Sequence, residues 1–407
     1  MQPEALLDLT TWIAEASLQG IEESELVSGL GTRANATGLP LWRISVGLDT
    51  LHPVIGGVMS VWRRNTGVAE RREYGRSDDI NGGEAWQRSP YFRLIQTGER
   101  RLRLRLDGDL VPGEMPVLGE LKAQGATDYA AYVCRLGAQS TFGDMDCVYS
   151  SWTSDAPEGF DEQALWAIDR LVPALSIAVQ SASLARMARS LAAIYLGADA
   201  GARVLKGSVG RGVTDRISAV LWFSDLQGFT KIADRSAPEQ LIPFLNDYAE
   251  CLVAAIHHAG GQVLKFIGDG ILATFAIDTA SAAAARAIAA VDTARAGLAE
   301  VNQRRSEAGL PVTSVDIALH IGEVLYGNIG SVDRLDFTVV GPVVNELARI
   351  EAMCGSLDQQ VVTSAAFAAA AGKGDKSGGG ERLVSLGRYA LRGVGKPQEL
   401  FTLLPVE

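Results

Sequence analysis

Leu221-Trp-Phe-Ser-Asp-Leu-Gln-Gly-Phe-Thr230 and Lys265-Phe-Ile-Gly-Asp-Gly270 are the two stretches on which the reading of this chain turns. In each, an apolar strand-like run ends at an aspartate with a glycine close by, Asp225 in the first and Asp269 in the second. A carboxylate beside a buried strand is costly unless it meets a cation. Two of them suit divalent ions held against a polyphosphate, because Mg²⁺ takes one or two carboxylates and fills its shell with phosphate oxygens and water. The pairing implies an enzyme that acts on a nucleotide.

Working outward, Ile217 to Ser224 is a nearly continuous apolar run, which predicts a strand covered on both faces. Ser236-Ala-Pro-Glu239 predicts a helix start, with a capping box and proline in the first turn, and Gly260-Gly261 marks its end. Two strands, Gln262 to Ile267 and Ile271 to Phe275, flank a tight turn with Asp269 at its tip. An alanine-rich helix follows from Thr279 to about Glu307, and Ser314 to His320 alternates like a half-exposed strand. The order β-α-β-β-α-β is the ferredoxin-like arrangement, an α+β (α/β) fold. Extra elements extend it: a strand at Asp336 to Val340, a helix from Pro342 to about Met353, a strand near Gln360 to Thr363, and closing strands near Arg382 to Leu391 and Glu399 to Leu404. Gly372 to Glu381, with Gly378-Gly379-Gly380, reads as a flexible loop.

At 407 residues, 47% hydrophobic and 21% charged, the chain is expected to hold two cores. Its net charge of −11 argues against a nucleic-acid partner, which calls for a basic face. Cys134, Cys147, Cys251 and Cys354 are scattered without Cys-x-x-Cys spacing and are expected to be reduced. No run of about 18 uncharged apolar residues suggests a membrane span. Met1 to Asp8 lacks a basic leader, so a cytoplasmic location is expected.

The amino half shows two helical stretches before Gly38 and strands near 41–48, 57–63, 101–106, 128–135 and 146–154. This pattern predicts a mixed α/β sensor domain over residues 1–160. A helix over 161–198 would connect it to a catalytic domain over 199–407. Pro173 is expected to bend that helix, and its apolar stripe shifts phase between Val179 and Leu184. It is a candidate for pairing with its own copy in a dimer. Trp42, Trp62, Trp86, Tyr91, Trp152 and Trp166 are expected to be core aromatics, His52 a turn residue and His320 strand filling.

Further polar residues recur in a telling order. Lys265 stands four positions before Asp269, Asp336 opens a strand, and Asn345 and Arg349 lie four apart on one helix face. Each taken singly has an ordinary explanation as a solvated edge or surface ion-pair residue; the set in this order does not. The chain resembles the class III adenylyl cyclases over roughly Ile217 to Leu404. The resemblance rests on the two stretches quoted above together with Tyr326-Gly-Asn-Ile-Gly330, Asp336-Phe-Thr-Val-Val-Gly341, Val344-Asn-Glu-Leu-Ala-Arg349 and Leu391-Arg-Gly393.

Carried over by position, the resemblance implies that Asp225 and Asp269, with the Leu226 carbonyl, hold two divalent cations, Mg²⁺ or Mn²⁺. It implies that Lys265 and Asp336 select adenine, that Asn345 orients the ribose, and that Arg349 meets the reacting phosphate. Arg392 falls where the family places a basic residue for the terminal phosphates, and Phe229 and Thr230 lie in the substrate-binding stretch. ATP is the implied substrate and a homodimer the implied assembly, with the metal aspartates from one subunit and the remaining residues from the other. Pro342 departs from the family pattern, in which an acidic residue often follows the glycine; proline suits a first helical turn. Glu346 and Leu347 are also less usual.

Three alternatives compete. A catalytically silent nucleotide-binding dimer predicts loss of a metal aspartate or of Arg349, and neither is missing. A guanylate cyclase is opposed by Lys265 and Asp336, and a dinucleotide cyclase by the absence of Gly-Gly-Asp/Glu-Glu-Phe around Asp269. Residues 23–179 resemble a GAF domain through the strand pattern and the Gly159-Phe-Asp-Glu162 lead into a helix, which implies an unknown small-molecule ligand for that region.

Overall fold

The computed structural model describes residues 1–76, 83–106, 115–137, 146–372 and 379–406. They form two compact units, Met1–Leu191 and Ala192–Glu407.

The first unit runs α1 (Pro3–Leu18), α2 (Glu23–Ala36), β1 (Arg43–Asp49), β2 (Ile55–Arg63), β3 (Ala69–Gly75), α3 (Glu84–Gln87), α4 (Pro90–Thr97), β4 (Arg101–Arg105), α5 (Pro116–Ala123), β5 (Asp128–Arg135), β6 (Cys147–Ser154) and α6 (Glu162–Leu196). Its antiparallel sheet has the order β3-β2-β1-β6-β5-β4. On one face Ile44, Val46, Trp62 and Trp152 pack with Leu9 and Ile13 of α1, Leu26 and Leu30 of α2, and Ile168 and Leu175 of α6. On the other, Tyr129, Val133 and Tyr149 pack with Tyr91 and Leu94 of α4 and Leu118 and Leu121 of α5. Strand β3 and helices α3 to α5 were not foreseen. β3 is exposed along nearly its whole length, so it lacks the apolar alternation by which a strand is read.

The expected connector is helical, and α6 runs through Pro173 without a break. The division between the units falls after Leu191, inside α6. The helix owes its place in the first unit to its buried stripe, which continues from Val179 to Ser183 and Met187 at steps of four; Leu184 is only half-buried. By length and apolar composition α6 also passes as long enough to cross a membrane, but this apolar stripe is taken up by the core of the unit.

The second unit contains α7 (Ala198–Leu205), β7 (Thr214–Leu226), α8 (Phe229–Arg235), α9 (Pro238–His258), β8 (Gln262–Ile267), β9 (Gly270–Ala276), α10 (Ala280–Glu307), β10 (Val315–Gly330), β11 (Leu335–Val340), α11 (Pro342–Glu351), α12 (Met353–Leu357), β12 (Val361–Ser364), α13 (Ala365–Ala370), β13 (Leu383–Tyr389) and β14 (Gln398–Leu403). The sheet order is β13-β14-β12-β10-β7-β9-β8, with β11 folded back on β10. Within it, β7-α9-β8-β9-α10-β10 gives the strand order β10-β7-β9-β8, the ferredoxin-like arrangement that the sequence predicts.

Strand β7 explains its own continuous apolar run. Val220 and Trp222 join Phe244, Leu252 and Val291 on the α9–α10 side, whereas Leu221 joins Leu347 and Ile350 of α11 on the other. A strand covered on both faces cannot alternate.

Two local expectations need correction. The α9 start has no capping box: Ala237 is the N-cap without a side-chain bond, Pro238 opens the helix, and Ser236 instead ends α8. The fixed φ of proline and its missing N–H suit that first turn without a capping hydroxyl. Strand β10 continues past His320 to Gly330, pairing with β7 and then with β11. Gly327 lets it do so, since a Cβ there would lie 2.2 Å from the Val213 carbonyl oxygen. Within the glycine-rich loop expected at 372–381, residues 373–378 lie outside the described residues. All four cysteines are free.

Candidate active site

Strand β7 and the β8–β9 hairpin bring Asp225 and Asp269 together. Ile267 pairs with Gly270 across a two-residue turn, and Gly268 has a φ of +64°, as a type II′ turn asks of its first central residue. Asp269 thereby sits at the tip, where the Leu226 N–H donates to its Oδ2 at 3.3 Å. Burial first, then the Asp269 carboxylate, then Asp316 push the Asp225 carboxyl up to about 6. Asp316 is the direct cross-strand partner of Asp225 on β10, and the Gln227 Nε2 donates to it at 2.5 Å. Glu351, the last residue of α11, is raised to about 7 by burial and by Asp225, Asp316 and Asp269. Among the described residues none of these four carboxylates forms an ion pair.

The donor set fits Mg²⁺ or Mn²⁺. Asp225, Asp269 and the Leu226 carbonyl offer hard oxygens, and the repulsion that raises Asp225 is what a divalent cation relieves. Among the described residues no three His, Cys, Asp or Glu side chains form a closed metal cage. Two carboxylates that leave the remaining positions to water and phosphate are the usual provision for Mg²⁺.

Lys265 of β8 and Asp336 of β11 form an ion pair, although 71 residues separate them in the chain. They are 30% and 54% exposed, so the pair is open to an incoming polar edge. Helix α11 begins at Pro342 after Gly341, as the sequence predicts, and carries Asn345 exposed and Arg349 half-buried. Among the described residues neither side chain has a hydrogen-bond or ion-pair partner. The loop after β13 passes close by: a Cβ on Gly393 would lie 3.3 Å from Arg349 Nη2, which places the exposed Arg392 next to that region.

Phe229 and Thr230 part company. The Phe229 ring stacks 6.3 Å from Phe244 and joins the α9–α10 core, whereas Thr230 is exposed in the first turn of α8. A cavity of about 210 Å³ adjoins Asp269, lined by Leu226, Leu245, Tyr248, Leu252 and Phe266.

Sequence reading missed Asp316 and Glu351, because only strand register and helix docking bring them to Asp225. It also read His320 as strand filling. The buried imidazole has Nδ1 2.7 Å from Ser364 Oγ, the N-cap of α13, and Nε2 3.8 Å from Glu346 Oε2 on α11. Burial holds its pKa below the usual histidine value despite the Glu346 carboxylate. The signal was the unusual Glu346 beside Asn345. His52 is the turn residue expected, its Nδ1 accepting from the Val54 and Ile55 N–H groups.

Comparison with known proteins places this constellation. The family described as Adenylate and Guanylate cyclase catalytic domain matches residues 213–404. An adenylate cyclase of Anabaena cylindrica is 37% identical over 149 residues, 36% of this chain and 28% of that protein. Adenylate cyclase 1 of Rhizobium meliloti is 28% identical over 151 residues, 36% of this chain and 22% of that protein. The match thus spans less than a third of either relative's length. Among solved structures, the guanylyl cyclase Cya2 is 34% identical, covering 48% of this chain and 95% of that one, with a TM-score of 0.41.

Proposed function

Because the chain belongs, through residues 213–404, to the adenylate and guanylate cyclase catalytic domain family, we propose that it converts ATP into 3′,5′-cyclic AMP and pyrophosphate. One observation carries the reading. In a single folded unit, among the described residues, Asp225, Asp269, Asp316 and Glu351 stand without a cation, while Arg349 stands without a carboxylate. A divalent metal and a polyphosphate answer both needs at once.

Asp225, Asp269 and the Leu226 carbonyl would hold two divalent ions, which when bound supply Lewis acidity to the attacking and leaving oxygens. The chain's own groups do the rest. Lys265 donates to adenine N1 and Asp336 accepts from the 6-amino group, so guanine, with both edges reversed, leaves them unpaired. Asn345 orients the ribose so that its 3′ oxygen forms the new bond to the α-phosphorus, its proton passing to water as the bond to the pyrophosphate oxygen breaks and pyrophosphate leaves with that electron pair. Arg349, which cannot deprotonate, donates to the α-phosphoryl oxygens as their charge grows. Arg392 steadies the terminal phosphates.

The assembly proposed is a homodimer, in which the acids of one subunit meet Lys265, Asn345 and Arg349 of the partner subunit. The first unit is read as a GAF-like sensor, and a cytoplasmic location, where ATP is plentiful, completes the proposal. The matched family includes guanylate cyclases, which keeps GTP as the second substrate to test.

The test incubates purified chain with ATP or GTP and Mg²⁺ or Mn²⁺ and identifies the products. Asp225→Ala and Arg349→Ala are each expected to be severely impaired and to regain activity when mixed, one intact site per heterodimer. Cyclic GMP as main product would overturn the base assignment; no recovery on mixing would overturn the shared site.

A further inference from the structure

The second face of the first unit's sheet holds a polar cluster that the proposed reaction does not use. Arg43 of β1 and Arg63 of β2 are direct cross-strand partners, and like charges so placed repel. Arg43 also faces Thr153 of β6, and Ser45 faces Ser151, so all four side chains share one face. Ser45 and Thr153 are 1% and 0% exposed, and among the described residues their hydroxyl oxygens have no hydrogen-bond partner; Arg43 Nε is likewise buried and unpartnered. Among the described residues, the guanidinium donates one hydrogen bond, from Nη1 to Ser151 Oγ at 3.4 Å.

Among the described residues no carboxylate stands with the groups that act on Arg43. Its charged and titratable neighbours are Tyr91, Tyr129, Arg63 and Arg72, and burial holds it below the usual arginine value. Of the acids nearby in the sheet, Glu70 binds Arg72 and also acts on Arg63, and Asp49 accepts from the Tyr149 hydroxyl. A desolvated cation beside a second cation and two orphaned hydroxyls is costly. Donors in this arrangement match an oxyanion, for which arginine offers a planar fork. Half-buried Trp86 and Met59 pack in the aromatic cluster at this face, giving an apolar surface for the rest of a ligand.

We propose that the first unit binds the carboxylate or phosphate group of a small organic anion at Arg43, Arg63, Ser45 and Thr153. The site lies outside the cyclase constellation, and its test needs no catalytic activity.

Thermal unfolding of the full chain in a low-salt, phosphate-free buffer is the measurement, with inorganic phosphate or benzoate titrated in. At least one of the two is expected to raise the melting temperature saturably, and Arg43→Gln and Arg63→Gln each to weaken that effect about tenfold or more. Phosphate acting alone identifies a phosphate head, and benzoate alone a carboxylate on a flat ring. Arg43→Met, measured without added anion, is expected to melt no lower than the wild type, since an uncompensated charge has gone. The proposal is overturned if neither anion shifts the wild type, if Arg43→Gln shifts equally, or if Arg43→Met melts well below the wild type.

Discussion

The two folded units carry opposite electrostatic mismatches. In the first, Arg43 and Arg63 face each other without an acid between them. In the second, among the described residues, Asp225, Asp269, Asp316 and Glu351 gather without a cation, and Arg349 on α11 has no anionic partner. A desolvated charge lacking a counter-charge costs free energy that packing alone does not recover. Each mismatch therefore marks where a group from outside the chain belongs. The difference lies in the sign: the first unit brings together cationic side chains, and the second acidic ones, which is what the two proposals rest on.

The largest effect tests the acidic side. Asp269→Ala is expected to lower cyclic nucleotide synthesis by about 10³-fold or more, or roughly 4 kcal/mol of transition-state stabilisation. Its melting temperature without metal should not fall, because a source of repulsion is removed. A variant that unfolds but keeps specific activity would break the comparison.

Arg349→Ala tests the cation that completes the second site. It is expected to slow turnover about 10²–10³-fold, or roughly 2.7–4 kcal/mol, with little change in KM. Equal losses in kcat and in ATP affinity would assign the arginine to substrate binding. Lys265→Ala should narrow the preference for ATP over GTP by about 10–100-fold, measured as a ratio of kcat/KM values. The part-exposed setting of the ion pair keeps this below the discrimination of a fully buried site.

The smallest effect is one of pH. Folding raises Asp225 to about 6 and Glu351 to about 7, so between about pH 4 and pH 7 the folded state binds more protons than the unfolded state. Stability from these groups therefore falls as pH rises through that window. Asp225→Asn should flatten the decline, and Mn²⁺ should raise the melting temperature more at pH 7.5 than at pH 5. A metal-induced shift of equal size at both pH values would separate the raised carboxyls from metal binding.

Much of the second unit was legible because local signals agreed. The glycine-bounded hairpin, the alanine-rich helix and the proline-started α11 each announce themselves within a few residues. Lys265 and Asp336 were legible as a pair only through family resemblance; their contact joins β8 to a strand 71 residues away. Phe229 shows the limit of reading by motif, since its ring serves the core while Thr230 beside it stays exposed. The first unit was harder. Strand β3 is polar and solvated, and the buried stripe of α6 passes through Ser183, which no hydrophobic pattern selects.

From its sequence alone this chain determined the order of the main elements of its second unit, the aspartates Asp225 and Asp269 at strand ends, and the Asn345–Arg349 face of one helix. These depend on turn chemistry and periodicity, which act over a few residues. Only the tertiary structure decided that Asp316 stands across from Asp225, that Glu351 joins them, that His320 spans Ser364 and Glu346, and that Arg43 faces Arg63. Register and helix docking are settled by the burial of whole faces, so they bring together charges that no local pattern relates.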